Sequence, residues 1–155
     1  MTNFELVYDQ FLSAVKIDFP NLTPKQIEQE LFNWVITASS YFKFPRVSLE
    51  FEVYDVNKPG PNDEVGAYFL GELTQKEISV IVEYMKLVHF EMQLADSKKY
   101  ELYYEDANLK LPSQSNLITQ INRSYENQLK KARRTENDYY RVDNNKPTIG
   151  RVWNT

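Results

Sequence analysis

Cysteine is absent from the 155 residues. That excludes disulfide frameworks, thiolate metal sites and thiol nucleophiles, and it leaves the redox compartment open, because a cysteine-free chain suits any. Histidine occurs once, as His89. A metal centre built on imidazoles needs two or three of them, and a Ser-His-Asp triad would have to form around this one ring. His89 falls inside an apolar helical stripe, so it reads as a packed, neutral imidazole. Glycine is confined to Gly60, Gly66, Gly71 and Gly150, which leaves no glycine-rich loop to cradle a phosphate. No run of about 18 apolar residues is present to span a membrane, and the N-terminus lacks a basic region followed by an apolar stretch. The expectation is a soluble chain with no signal peptide and no membrane partner.

Carboxylates are plentiful, but Glu50 and Glu52 share the outward face of a predicted strand, and Asp63-Glu64 lies on a predicted hairpin tip. Neither pair has a positioned partner. A metal-dependent nuclease would show an acidic residue followed by an acid-x-Lys unit on a strand, and the chain offers no match. The expectation is no enzyme, no catalytic residue, no cofactor and no metal; a hydrolase of unknown type is the remote alternative. At this length the chain fits one domain able to bury a core without staples.

Charge is unevenly placed. Residues 1–106 carry nine Lys and Arg against eighteen Asp and Glu, net −9, and residues 107–155 carry nine against four, net +5, which together make the overall −4. An acidic body joined to a basic end fits self-complementary association or a C-terminal segment facing an acidic partner.

Phe4, Val7, Tyr8, Phe11, Leu12 and Val15 repeat at helical spacing and predict a first helix over about Asn3 to Asp18, ended by Pro20. Thr23-Pro-Lys-Gln26 is a capping box with proline in the first turn. The helix it opens carries Ile27, Leu31, Trp34, Val35 and Ala38 on one face, broadened by Phe32 and Ile36, so it should sit between other elements or against another subunit. Val47 to Val53 alternates apolar and polar residues, the pattern of a half-buried strand. Turn formers from Asn57 to Asp63 lead to a second strand, Val65 to Leu70, making a β-hairpin at about 46–71. Two strands alone are marginal in water, so the hairpin must lie on the helices or pair with another chain.

Thr74 and Glu77 form a second capping box. Ile78, Ile81, Val82, Met85, His89 and Met92 then line one face of a third helix, about Gln75 to Leu94. Asp96 to Leu111 has no clear period and reads as an irregular excursion. Pro112-Ser113 starts a long final helix to about Val142, with Ile118, Ile121, Tyr125, Gln128, Leu129 and Ala132 in a thin stripe among Arg123, Lys130, Lys131, Arg133, Arg134 and Arg141. Such a helix reaches into solvent or contacts a partner. Asn144 to Thr155 keeps Ile149, Val152 and Trp153, residues with no reason to persist on a free tail, so docking in a neighbouring groove is expected. The fold class expected is mainly α: a four-helix antiparallel arrangement with an inserted β-hairpin, one domain over 1–142, and an extended C-terminal arm over 143–155.

The residues Gly71-Glu-Leu-Thr74, Glu77-Ile78, Tyr84-Met-Lys86, Gln93, Ser113-Gln114, Asn116-Leu117, Lys130 to Arg134 and Tyr139-Tyr-Arg141, in this order of elements, resemble the head-to-tail connector (neck) proteins of tailed bacteriophages. The resemblance covers about residues 65–142 and, more loosely, the first two helices. It implies a structural virion protein of the phage neck: a ring, usually of twelve subunits, beneath the portal, assembled in the host cytoplasm and lining the DNA channel. The partners implied are copies of itself, the portal protein, further neck or tail proteins, and transient non-specific contact with genomic DNA. Candidate subunit contacts are Trp153, Val152, Ile149, Tyr139, Tyr140, Tyr54 and Tyr68. Candidate channel residues are Lys130, Lys131, Arg133 and Arg134. The alternative is a small DNA-binding or assembly-regulating protein, in which the same cations neutralise phosphates and tyrosines stack on bases.

Overall fold

In the computed structural model, which describes residues 1–17, 19, 22–60, 65–106 and 112–144, Thr2–Asn3 forms a two-residue strand, β1. Asn3 then caps helix α1, Phe4–Ala14, by accepting from the Glu5 amide at 2.9 Å. Helix α2, Pro24–Tyr41, starts at the predicted capping box: the Gln26 amide donates to Thr23 Oγ1 at 3.4 Å and the Thr23 amide to Gln26 Oε1 at 2.8 Å. Strands β2, Phe51–Tyr54, and β3, Gly66–Phe69, form the hairpin. Helix α3 runs Gln75–Asp106 and helix α4 Pro112–Asn144. The chain is mainly helical with a small antiparallel sheet.

The sheet order is β1-β3-β2, with Thr2 opposite Phe69 and Asn3 opposite Tyr68. The hairpin is therefore not a two-stranded unit: the chain's own N-terminus supplies a third strand, and α1 packs beneath it through Phe4, whose ring centroid lies 4.4 Å from that of Phe69. Strand β2 is shorter than the alternation from Val47 predicts. The Glu50 amide turns to Ser48 Oγ at 3.2 Å, a local bond that competes with the ladder. Val47 and Leu49 pack against the core, but Phe51 and Val53, next on the same face, stay 37 % and 53 % exposed.

Helix α3 continues through Asp106, so the expected irregular excursion from Asp96 is helical for its first eleven residues. Residues 95–106 contain no Gly or Pro, and good helix formers extend a helix without an apolar face to guide it. The remaining 107–111 lie outside the described residues, as do Ile149, Val152 and Trp153 with the rest of 145–155.

The core gathers Phe4, Val7 and Phe11 of α1, Val35 of α2, Phe69 of β3, and Ile78, Ile81 and Met85 of α3, all essentially closed to solvent. Burying each such side chain contributes about 1.5–3 kcal/mol; α3, which adds Val80, Val82, Tyr84, Leu87 and Val88 to these, gives the cluster its largest share and is the element around which the others stack. Partners along α3 and α4 fall in reverse order. Glu77 meets Tyr139, Glu83 meets Gln128 and Glu91 meets Tyr125, so α4 runs back along α3.

Candidate functional site

Charge that a sequence reader would leave in water is folded into the α3–α4 seam. Glu77 is 1 % exposed and Glu136 6 %. A buried carboxylate needs hydrogen-bond donors to offset lost hydration, and each has three. Glu77 Oε2 accepts from the Thr74 amide at 2.8 Å and the Thr74 hydroxyl at 2.9 Å, while its Oε1 accepts from the Tyr139 hydroxyl at 2.8 Å. Glu136 accepts from the Tyr84 hydroxyl on one oxygen, and from the Tyr140 hydroxyl at 2.9 Å and the Lys43 amide at 3.1 Å on the other.

The loop after α2 hangs on the same tyrosines. The Phe44 amide donates to the Tyr140 hydroxyl at 3.1 Å and the Arg46 amide to the Tyr139 hydroxyl at 3.0 Å. The Arg46 guanidinium covers the Tyr139 ring at 4.6 Å and donates to the Tyr139 carbonyl at 3.2 Å. Burial first, and then bonding to Glu136, pushes the Tyr140 hydroxyl up to about 12. Phe44 itself is 71 % exposed.

Further along the seam, Glu83 accepts from Lys86 and from the Gln128 amide nitrogen, both at 2.8 Å. Burial alone would raise its carboxyl, but the Lys86 and Gln128 hydrogen bonds, with the charges of Lys86 and Lys131, hold it below its ordinary value. Beyond it, Tyr41 and Tyr125 donate to the two oxygens of Glu91 at 2.9 and 3.4 Å. These residues line an open cleft of about 330 Å³ together with Arg133. His89 lies beside Trp34, ring centroids 5.3 Å apart, and burial lowers its imidazole so that the ring is neutral.

The inward face of α4 is thus spent on α3, which decides what its outer face can offer. Arg123, Lys130, Arg134 and Arg141 are all exposed. Their spacings of seven, four and seven residues keep them within about 40° of one line along the helix, over about 27 Å. Glu126 and Asp138 flank the row, but no ion pair among the described residues joins a carboxylate to any of the four cations. Of the four predicted channel residues, Lys130 and Arg134 lie on this row. Lys131 reaches to Glu83 at 3.3 Å, and Arg133 lines the tyrosine cleft. Arg123 and Arg141 complete the row, and their heptad spacing was the signal for them.

The predicted contact residues divide as well. Tyr139 and Tyr54 are buried in their own chain; the Tyr54 ring lies 5.8 Å from half-buried Tyr68. Tyr140 is half-buried with its hydroxyl bonded to Glu136. Exposed apolar side chains lie elsewhere, Phe44, Phe51, Val53, Val56 and Val65 among them. Among the described residues no group of three or more His, Asp or Glu could hold a metal ion, and no helix is long and apolar enough to cross a membrane. Compared with protein-family models, curated proteins and solved structures, the chain matches none.

Proposed function

We propose that the chain is a structural virion protein: one subunit of a ring, of about twelve copies by the connector resemblance, that joins portal to tail in the neck of a tailed bacteriophage. The observation that carries this reading is the cationic row on α4. A helix whose inner face is committed to α3 keeps four cations on its outer face without ion-pair partners in the described chain. One such row is a weak field; repeated by a ring axis it becomes a continuous basic lining able to meet phosphates without reading sequence. The finer fold follows the same reading: four antiparallel helices as one domain over 1–142, and residues 143–155 as an arm toward a neighbour. Exposed Phe44, Phe51 and Val53 would then lie where subunits or portal meet. The protein would assemble in the host cytoplasm and reside in the virion neck.

The same row also suits a small DNA-binding or assembly-regulating protein. The experiment that separates them is electron microscopy and light scattering of the purified chain with and without its portal, beside a duplex mobility shift at graded salt. A connector subunit is expected to be monomeric alone and to form rings on the portal. Shifting of duplex by the isolated chain at low salt, weakening steeply as salt rises, without portal-dependent rings, would overturn it in favour of the second reading.

A further inference from the structure

Strand β1 covers only Phe69 and Tyr68 on its side of β3. Ala67 and Gly66 pair with Val53 and Tyr54 of β2 on their other side, and among the described residues no strand lies beside them where β1 gives way to α1. That gap opens into a groove of about 570 Å³ between the first turns of α1, the start of α2 and the far end of the sheet. The volume is in the range of pockets that hold small-molecule-sized groups, roughly 300–1,000 Å³. Its walls are part apolar, from Phe4, Phe32, Val53 and Val65, and part acidic, from Glu5, Glu28 and Asp55, with Lys25 opposing them as the one cation among the described lining residues. The excess is felt within it: after burial, the charges of Glu28 and Glu5 push the Tyr8 hydroxyl up.

We infer that this groove receives residues 145–155 of a neighbouring copy of the same chain, laid as an added strand beside Ala67 and Gly66. The segment matches the groove in three ways that its sequence alone states. It carries Lys146 and Arg151 and no acidic residue, complementing the acidic walls. Thr148, Ile149, Val152 and Trp153 are strand-favouring, and Pro147 can only stand at a strand's start or edge. Main-chain bonds to an open sheet position supply affinity, and side-chain pockets supply register. Trp153 is the natural anchor for an apolar groove rimmed by charge. Eleven residues beyond α4 reach about 36 Å when extended, enough to leave one subunit and lie on the next. That a neighbour supplies the segment rests on the ring reading above; a groove on one end of the chain and its ligand on the other is the head-to-tail pairing that closes rings.

The absence of cysteine makes the test direct. Full-length chains bearing only Ala67→Cys, in the strand directly beside the added one, or only Val152→Cys are mixed, oxidised and resolved by mass, and the double variant is oxidised at high dilution. The expected result is a mixed disulfide between the two single variants, rising with concentration and exceeding either self-crosslink. Glu28→Lys should lower its yield roughly threefold, the effect of one part-exposed ion pair. Trp153→Ala should lower it on the order of tenfold. An intramolecular disulfide in the double variant, with no interchain product, places the segment on its own subunit and overturns the inference, as does the absence of both products. Rings on the portal without this crosslink leave the neck reading standing and the inference fallen; the crosslink without rings does the reverse.

Discussion

Tyr139 near the end of α4 donates its hydroxyl to Glu77 in the first turn of α3 at 2.8 Å, across 62 positions of sequence. Glu77 uses its other oxygen to cap the helix it belongs to, so the start of α3 and the end of α4 are fastened by one carboxylate. The same hydroxyl accepts from the Arg46 amide, which brings the loop after α2 into the junction.

Replacing Tyr139 by Phe keeps the ring but strands Glu77 Oε1 and the Arg46 amide. A buried acceptor left without its donor costs about 1–3 kcal/mol. Urea unfolding of Y139F should show a lower midpoint with little change in slope.

Gly71→Ala acts by crowding. A Cβ there would stand 2.1 Å from Val47 Cγ1 and 2.8 Å from the Ser48 carbonyl oxygen, and the carbonyl, being backbone, cannot give way without moving the strand approach. The expected loss is about 1–3 kcal/mol, the range for overpacking, read as a drop in melting temperature.

Acid should weaken the seam through Glu83. Its folded carboxyl titrates below the ordinary 4.5, so between the two values the unfolded chain binds more protons and stability rises with pH. The contribution is present above 4.5 and is lost as pH falls through the folded value. Glu83→Gln should flatten that part of the stability profile measured by denaturation between pH 3 and 6, a window set about the ordinary carboxylate range.

At the alkaline end the sign reverses. Tyr41 and Tyr140 have hydroxyls raised from 10.0 to about 12, chiefly by burial and then by bonding to Glu91 and Glu136. Their stabilisation is complete below 10 and fades as pH climbs toward 12. Ultraviolet titration should show part of the tyrosine absorbance change delayed past the free-tyrosine range and coincident with unfolding.

Lys130→Glu with Arg134→Glu should leave the melting temperature nearly unchanged, since exposed substitutions away from partners usually shift stability by about 0.5 kcal/mol or less. Contact with DNA should suffer. If each cation neutralises one phosphate, removing two lowers the salt slope of binding by about 2, whether measured on assembled rings or on the isolated chain.

What the sequence disclosed, and what it hid, follows from the range of the interactions. Thr23 with Gln26 and Thr74 with Glu77 are local bonds three residues apart, so both helix starts were legible. The outward row of α4 was half legible, because spacing reveals a face but not which cations on it are drawn aside, as Lys131 is by Glu83. Strand β1 was not legible: two residues show no period, and Asn3 looks only like a cap. Nor were Glu136 and Glu83, whose neighbours in sequence hold nothing that marks a carboxylate as buried. What buries them is Tyr84 and Gln128, partners 52 and 45 residues away. Tyr139 and Tyr140 looked free to meet a neighbour for the same reason.

Phe44 offers its ring to water from a peptide unit that is not free to wander, since the amides of Lys43, Phe44 and Arg46 are each held by a side chain of α4. A greasy knob on so fixed a mount arrives at any counterpart already oriented. Docking at this corner would surrender little backbone freedom, and so Phe44 can grip firmly through a small area of contact.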